Sequence, residues 1–190
     1  FDGTKGAPYT EDDPPAPLNV YGESKLAGEQ SVVKSGAAAL IFRTAWVYSL
    51  RRPSFVTKVL SWAQKNPVLR IVDDQVSNPT WARALAEISA QVLAQALASG
   101  DPQAWLAQRA GVYHLAGGGY ASRYAWAREI IRLAGLESPP QVVSAKSADF
   151  PTPAQRPLFS ALDCSKFEAV FGLRLPPWQD ALALAMENRK

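Results

Sequence analysis

At 190 residues, with 47% hydrophobic and 19% charged residues, the chain has the size and composition of one globular domain, or one and a fraction, and is neither disordered nor low-complexity. Twenty basic against 17 acidic residues give a net charge of +3 without any block of like charge, so nothing in the charge pattern argues for nucleic acid or a membrane surface as partner. A lone cysteine, Cys164, excludes an internal disulfide framework and a multi-cysteine zinc site. With His114 the only histidine, a metal site would need carboxylates, and no metal ligand is assigned.

The chain opens at an apolar Phe1 followed by the turn signal Asp2-Gly3, then a loop with Pro8, Pro14, Pro15 and Pro17. This start reads as the end of a strand, with more chain expected before it. It lacks the basic start and apolar run of a signal peptide, and no segment approaches the ~18 apolar residues of a membrane span. A reducing cytoplasm is the expected setting.

Helical spacing runs from about Leu18 to Lys34, with Pro17 before it and Gly36 after it. Ala39 to Phe42 reads as a buried parallel strand that leads through Arg43 to Tyr48 into a polar loop, Ser49 to Ser54. A helix is expected from Phe55 to Lys65, a strand from Val68 to Val72 and a loop from Asp73 to Thr80. The Ala/Leu-rich stretch from Trp81 to Ala98 predicts a long helix ending at Gly100. Val112 to Leu115 predicts a strand, and three glycines follow. Ser122 caps a helix to Ala134 with Gly135 as its stop, and Gln141 to Ser144 is a further strand. Irregular chain is expected from Ala145 to Ala161, then a short helix capped by Asp163 and running to Phe171. A last helix follows Pro176-Pro177 and extends to about Asn188. The alternation of strands and helices predicts an α/β protein with mainly parallel pairing.

The chemistry concentrates in Tyr21-Gly22-Glu23-Ser24-Lys25. Positions i and i+4 share a helix face, so a phenol and an ammonium are aimed at one place. The cation favours the phenolate, which fits the phenol for proton exchange with a carbonyl or hydroxyl. Taken alone, such a pair is more often the ordinary solvated face of a helix. Gly117-Gly118-Gly119-Tyr120-Ala121-Ser122 follows a strand and opens a helix, but Ser122 replaces the third glycine of a dinucleotide fingerprint. No acidic residue ends the next strand either, so this segment reads as a flexible turn with a serine cap. His114 reads as a packed, hydrogen-bonded histidine, Cys164 as an inert thiol, and Trp62, Trp105, Trp126 and Trp178 as packing residues. Trp81 and Arg83 stand near any pocket formed by the Asn78-Pro79-Thr80 loop.

The Pro-rich loop, Tyr21 to Glu29 and the strand ending Phe42-Arg43-Thr44-Ala45-Trp46-Val47-Tyr48 together resemble the extended short-chain dehydrogenase/reductases, and within them the dTDP-4-dehydrorhamnose reductases. The likeness continues through Asp74 to Thr80, Gly111 to Leu115, Phe150 to Pro157 and Phe171 to Trp178, in the family's order and over nearly the whole chain. The resemblance implies a partial Rossmann-like doubly wound parallel sheet with a smaller C-terminal α/β substrate-binding domain. Residues 1–50 would complete the dinucleotide-binding domain, and residues 51–190 would form mainly the substrate region, partly interleaved with it.

It further implies reduction of the C4 ketone of dTDP-4-dehydro-L-rhamnose by NADPH or NADH. Tyr21 matches the catalytic tyrosine that protonates the substrate oxygen. Lys25 matches the lysine that holds the nicotinamide ribose and favours the phenolate. Trp46 matches a tryptophan that packs against the sugar. Arg156 is a candidate for substrate contact, its guanidinium suited to a pyrophosphate, and equally reads as a structural arginine. Some family members dimerise around Mg2+ held by glutamates; a homodimer is therefore open, and no motif here specifies the metal.

The chain also departs from the family. The glycine-rich cofactor turn and the third catalytic Thr or Ser are expected upstream of Phe1, so the chain reads as a C-terminal portion that would be inactive alone. Ala45 stands where a serine is usual, and Ser49 to Ser54 lacks the expected glycines and asparagine. An epimerase or 4,6-dehydratase of the same superfamily, and a non-catalytic subunit resembling the regulatory beta subunit of methionine adenosyltransferase, remain alternative readings.

Overall fold

The computed structural model describes residues 1–187; the expected end of the last helix, Asn188, lies outside them. Helix α1 (Val20–Lys34) starts where the Asn19 side chain accepts a hydrogen bond from the Gly22 amide at 2.9 Å. Strand β1 (Leu40–Arg43) follows, then β2 (Val47–Tyr48) and α2 (Phe55–Ala63). A reciprocal pair opens α2: Thr57 Oγ1 accepts from the Ser54 amide at 2.8 Å, and Ser54 Oγ accepts from the Thr57 amide at 3.4 Å.

Strands β3 (Val68–Val72), β4 (Val76–Ser77) and β5 (Thr80–Trp81) lead into α3 (Ala82–Ala98) and α4 (Pro102–Arg109). Strand β6 (Gly111–His114), β7 (Ala121–Ser122), α5 (Arg123–Ala134) and β8 (Gln141–Ala145) come next. A 3-10 turn (Ser147–Asp149), α6 (Ser165–Phe171) and α7 (Trp178–Glu187) complete the order.

Three of the four strand pairs are parallel: β1 with β6, β2 with β5 and β3 with β8; β4 and β7 are antiparallel. The register of β1 on β6 sets Leu40 opposite Gly111 and Arg43 opposite His114. Two main cores result. Tyr48, Val59, Leu69, Trp126, Ile130 and Leu182 fill the one among α2, β3, α5 and α7. Val92, Tyr113, Leu115, Phe167 and Phe171 fill the other, where α3 and α6 meet β6 and Leu40 and Phe42 pack from β1. Each fully buried large apolar side chain contributes roughly 1.5–3 kcal/mol. A smaller cluster of Tyr9, Ala116 and Leu162 joins the N-terminal loop to the turn after β6.

The α/β reading and its parallel pairing are observed, and β3 and α5 match their expected bounds. Four details differ. The stretch after Gly100 forms α4, because Asp101 caps it by accepting from the Ala104 amide at 3.0 Å and Pro102 suits its first turn. The expected Asp73 to Thr80 loop contains β4 and the start of β5. The cap position of α6 falls to Cys164, although Asp163 Oδ1 still accepts from the Ser165 amide at 2.7 Å.

The triple glycine is a packed crossing instead of a flexible turn. Gly117 is buried, and a Cβ built on it would overlap the Pro79 carbonyl oxygen. A Cβ on Gly118 would lie 3.1 Å from the Pro176 carbonyl oxygen, which already accepts from the Gly118 amide at 2.9 Å. Only Ser122 does what the sequence suggests: its Oγ accepts from the Ala125 amide at 3.0 Å.

Candidate active site

Helix α1 carries Tyr21 and Lys25 on one face, with Lys25 Nζ 5.4 Å from the centre of the Tyr21 ring. The tyrosine is 72% exposed, and α1 buries none of its side chains. Polar ties hold the helix instead. Glu29 receives both Arg43 Nε at 2.8 Å and Arg43 Nη2 at 2.5 Å, a two-pronged ion pair from the end of β1. At the start of α1, Asn19 Nδ2 donates to the Gln155 carbonyl at 2.8 Å. That bond fastens the Tyr21 end of the helix to the proline-rich segment that carries Arg156.

Trp46 and Arg156 both line a cleft of about 700 Å³. Its apolar side comes from Phe55, Trp62, Trp126 and β3. Lys58, Arg70, Arg123 and Arg156 also line it, and among the described residues no aspartate or glutamate does. Arg70 reaches out to Asp149 at 2.8 Å.

Trp46 itself sits at φ +40, the only non-glycine residue in the left-handed region among those described, held there by its place between β1 and β2. Its carbonyl accepts from the Thr80 amide at 3.2 Å, which locks the turn to β5. Its ring stacks on Trp126 with centres 5.6 Å apart and planes 10° apart. The Arg123 guanidinium lies 3.8 Å from the Trp46 ring centre and 4.7 Å from that of Phe55. Burial, with the charge of Arg156 second, lowers the pKa of Arg123 to about 10, so it stays charged at neutral pH.

The predicted site residues therefore fall in two groups. Trp46 and Arg156 share the cleft, Tyr21 and Lys25 share the exposed face of α1, and the Asn19–Gln155 bond links the groups. Sequence reasoning missed Arg123, Lys58, Arg70 and Phe55. A signal for Arg123 was present: it follows the Ser122 cap directly, in a first turn that favours acids over bases.

Trp81 and Arg83 pair with each other at 5.7 Å and do not line the cleft. His114 is fully buried; its Nδ1 donates to the Tyr9 carbonyl at 3.0 Å. Burial raises the Cys164 thiol to about 11, in keeping with an inert residue. Among the described residues no group of three His, Cys, Asp or Glu side chains is placed to hold a metal ion, and no helix is long and apolar enough to cross a membrane.

A reduced nicotinamide dinucleotide would find polar groups of a suitable kind on α1. Tyr21 and Lys25 present the phenol and ammonium that fit a ribose hydroxyl. The packed Gly117-Gly118 crossing leaves no cradle for the pyrophosphate there, since its amides are already bonded to Thr80 Oγ1 and the Pro176 carbonyl.

A family model described as the RmlD substrate binding domain matches residues 1–190. A dTDP-4-dehydrorhamnose reductase of Burkholderia thailandensis is 37% identical over 99% of this chain and 64% of its own length. Among solved structures, a dTDP-4-dehydrorhamnose reductase of Clostridium acetobutylicum superposes with a TM-score of 0.85 at 30% identity, covering 99% of this chain and 62% of that one. A Bacillus anthracis protein of the same name, solved in complex with NADP, gives 0.84 at 26% identity, covering all of this chain and 62% of that one. The chain thus spans a little under two thirds of the length of the relatives it matches.

Proposed function

Since the chain belongs to the RmlD substrate-binding domain family, we propose that it carries the acid–base pair and the sugar-nucleotide cleft of an enzyme that reduces dTDP-4-dehydro-L-rhamnose to dTDP-L-rhamnose. One observation carries the reading: the Asn19–Gln155 bond ties a Tyr–Lys helix face to the segment that brings Arg156 to a basic, acid-free cleft beside Trp46. The reductase name is the one its close sequence relatives carry, which favours this reading over an epimerase, a dehydratase or a non-catalytic subunit.

In this reading Tyr21 gives its phenolic proton to the C4 carbonyl oxygen as that carbon is reduced, turning ketone into alcohol. Lys25 favours the phenolate that remains and holds the nicotinamide ribose. When bound, NADPH or NADH supplies the hydride. The aromatic wall of Trp46 packs on the sugar, and Arg156 meets the diphosphate. The substrate is thus a nucleotide sugar, and the expected setting is the cytoplasm.

Residues 1–50 then belong to the dinucleotide-binding part and residues 51–190 mainly to the substrate part. The pairing of β6 with β1 supports the expected interleaving. The test is NADPH oxidation by the polypeptide of the complete reading frame, given dTDP-4-dehydro-L-rhamnose. Tyr21→Phe should abolish turnover and leave cofactor affinity nearly unchanged; a variant that keeps most of its turnover overturns the mechanism.

A further inference from the structure

Arg123 stands where a helix least tolerates a cation. It is the first residue of α5, whose unpaired backbone N–H groups already carry partial positive charge. Among the described residues no carboxylate lies within ion-pair distance of it. Three rings hold it instead: Trp46 at 3.8 Å, Phe55 at 4.7 Å and Trp126 at 5.5 Å from the guanidinium carbon. Arg156 lines the same cleft, and among the described residues no acid lines it. Burial and the second guanidinium both work against the charge of the first.

A fixed guanidinium has five N–H donors in a rigid fork, and aromatic faces satisfy none of them along the fork's plane. An anion with several oxygens relieves the burial, the like charge and the helix end together.

We propose that Arg123 is a second anion-binding residue, clamped by Trp46 and Phe55 so that it and Arg156 grip the diphosphate of a sugar nucleotide from two sides. The identity of the ligand rests on the reductase reading; the paired-guanidinium site does not. Trp46 becomes a positioning residue for Arg123 as well as a wall for the sugar.

Calorimetric titration of the complete polypeptide with dTDP, thymidine and inorganic pyrophosphate tests this, using wild type, Arg123→Met, Arg123→Lys and Arg156→Met. Arg123→Met should weaken dTDP binding about tenfold or more, leave thymidine unaffected and leave the melting temperature unchanged or higher. Arg123→Lys should restore part of the affinity, since a point charge lacks the fork. If Arg123→Met binds dTDP like wild type while Arg156→Met does not, the inference falls and the reductase reading stands. A variant that melts lower and loses dTDP and thymidine alike makes Arg123 structural and also overturns it. Wild type that ignores dTDP yet binds pyrophosphate through Arg123 upholds the anion site and overturns the sugar-nucleotide reading. Binding of none of the three overturns both.

Discussion

Asn78 and Leu162, 84 positions apart, exchange two hydrogen bonds: the Leu162 amide donates to Asn78 Oδ1 at 2.7 Å, and Asn78 Nδ2 donates back to the Leu162 carbonyl at 3.3 Å. The same Nδ2 donates to the Gly119 carbonyl at 2.8 Å and lies 3.3 Å from that of Gly117. One buried amide therefore sutures three loops that contain no regular ladder of their own. Asn78→Ala should strip the buried Leu162 amide of its partner and destabilise the protein by about 2–3 kcal/mol, read from urea unfolding. Asn78→Asp should cost at least as much, because the Nδ2 donor becomes an acceptor facing three carbonyls.

Tyr48 presents the opposite case. Its ring is 1% exposed and its hydroxyl has no hydrogen-bond partner among the described residues. Burial alone drives its pKa well above the ordinary tyrosine value. Removing a buried, unsatisfied hydroxyl keeps the packing against Trp126 and deletes a desolvated group. Tyr48→Phe should thus leave stability unchanged or raise it by up to about 1 kcal/mol, a shift of a few degrees in Tm. A loss of more than that would mean the hydroxyl is satisfied in solution.

His114, the only histidine, gives a clean pH signature. Burial is the main cause that lowers its pKa from the ordinary 6.5, with Glu11 opposing and Arg43 assisting. The unfolded chain therefore binds the proton first as pH falls, so stability is fully present above about pH 6.5 and declines below it. Carboxylates held low by their donors, such as Glu129 by Arg132 and Asp163 by Ser165, add losses only further down, through the carboxylate range. His114→Gln should flatten the fall in Tm between about pH 6.5 and 5 and leave the steeper acid limb in place.

Local rules explain what was legible in the sequence. Helix α5 was bounded correctly because Ser122 caps it and Gly135 ends it at φ +58, both signals written within one turn. Strand β3 has aliphatic residues on either side of Arg70 and the acidic pair Asp73-Asp74 just after it. By contrast β4 and β5 are two residues each and exist only because Ser122, Ala121, Val47 and Tyr48 come to lie beside them, which no neighbouring residue announces. The i,i+4 spacing shows Tyr21 and Lys25 as a pair. The resemblance matches Trp46 and Arg156 to substrate contacts one by one; that they share a cleft depends on contacts across more than a hundred positions. The glycines misled because a run of three looks mobile, whereas the space that Pro79 and Pro176 leave is what demands them.

Helix α1 has a consequence for energetics. Fifteen residues near the length at which an isolated helix is only marginal, with no side chain in a core among the described residues, are tied by a cap, an ion pair and an amide bond to Gln155. Among the described residues these polar ties, without a core contact, are what oppose opening of the segment. Any surface or ligand that engages Tyr21 and Lys25 in their helical register must also close that opening equilibrium. Its apparent affinity and the protection of the helix amides from exchange are then two readings of one linked quantity.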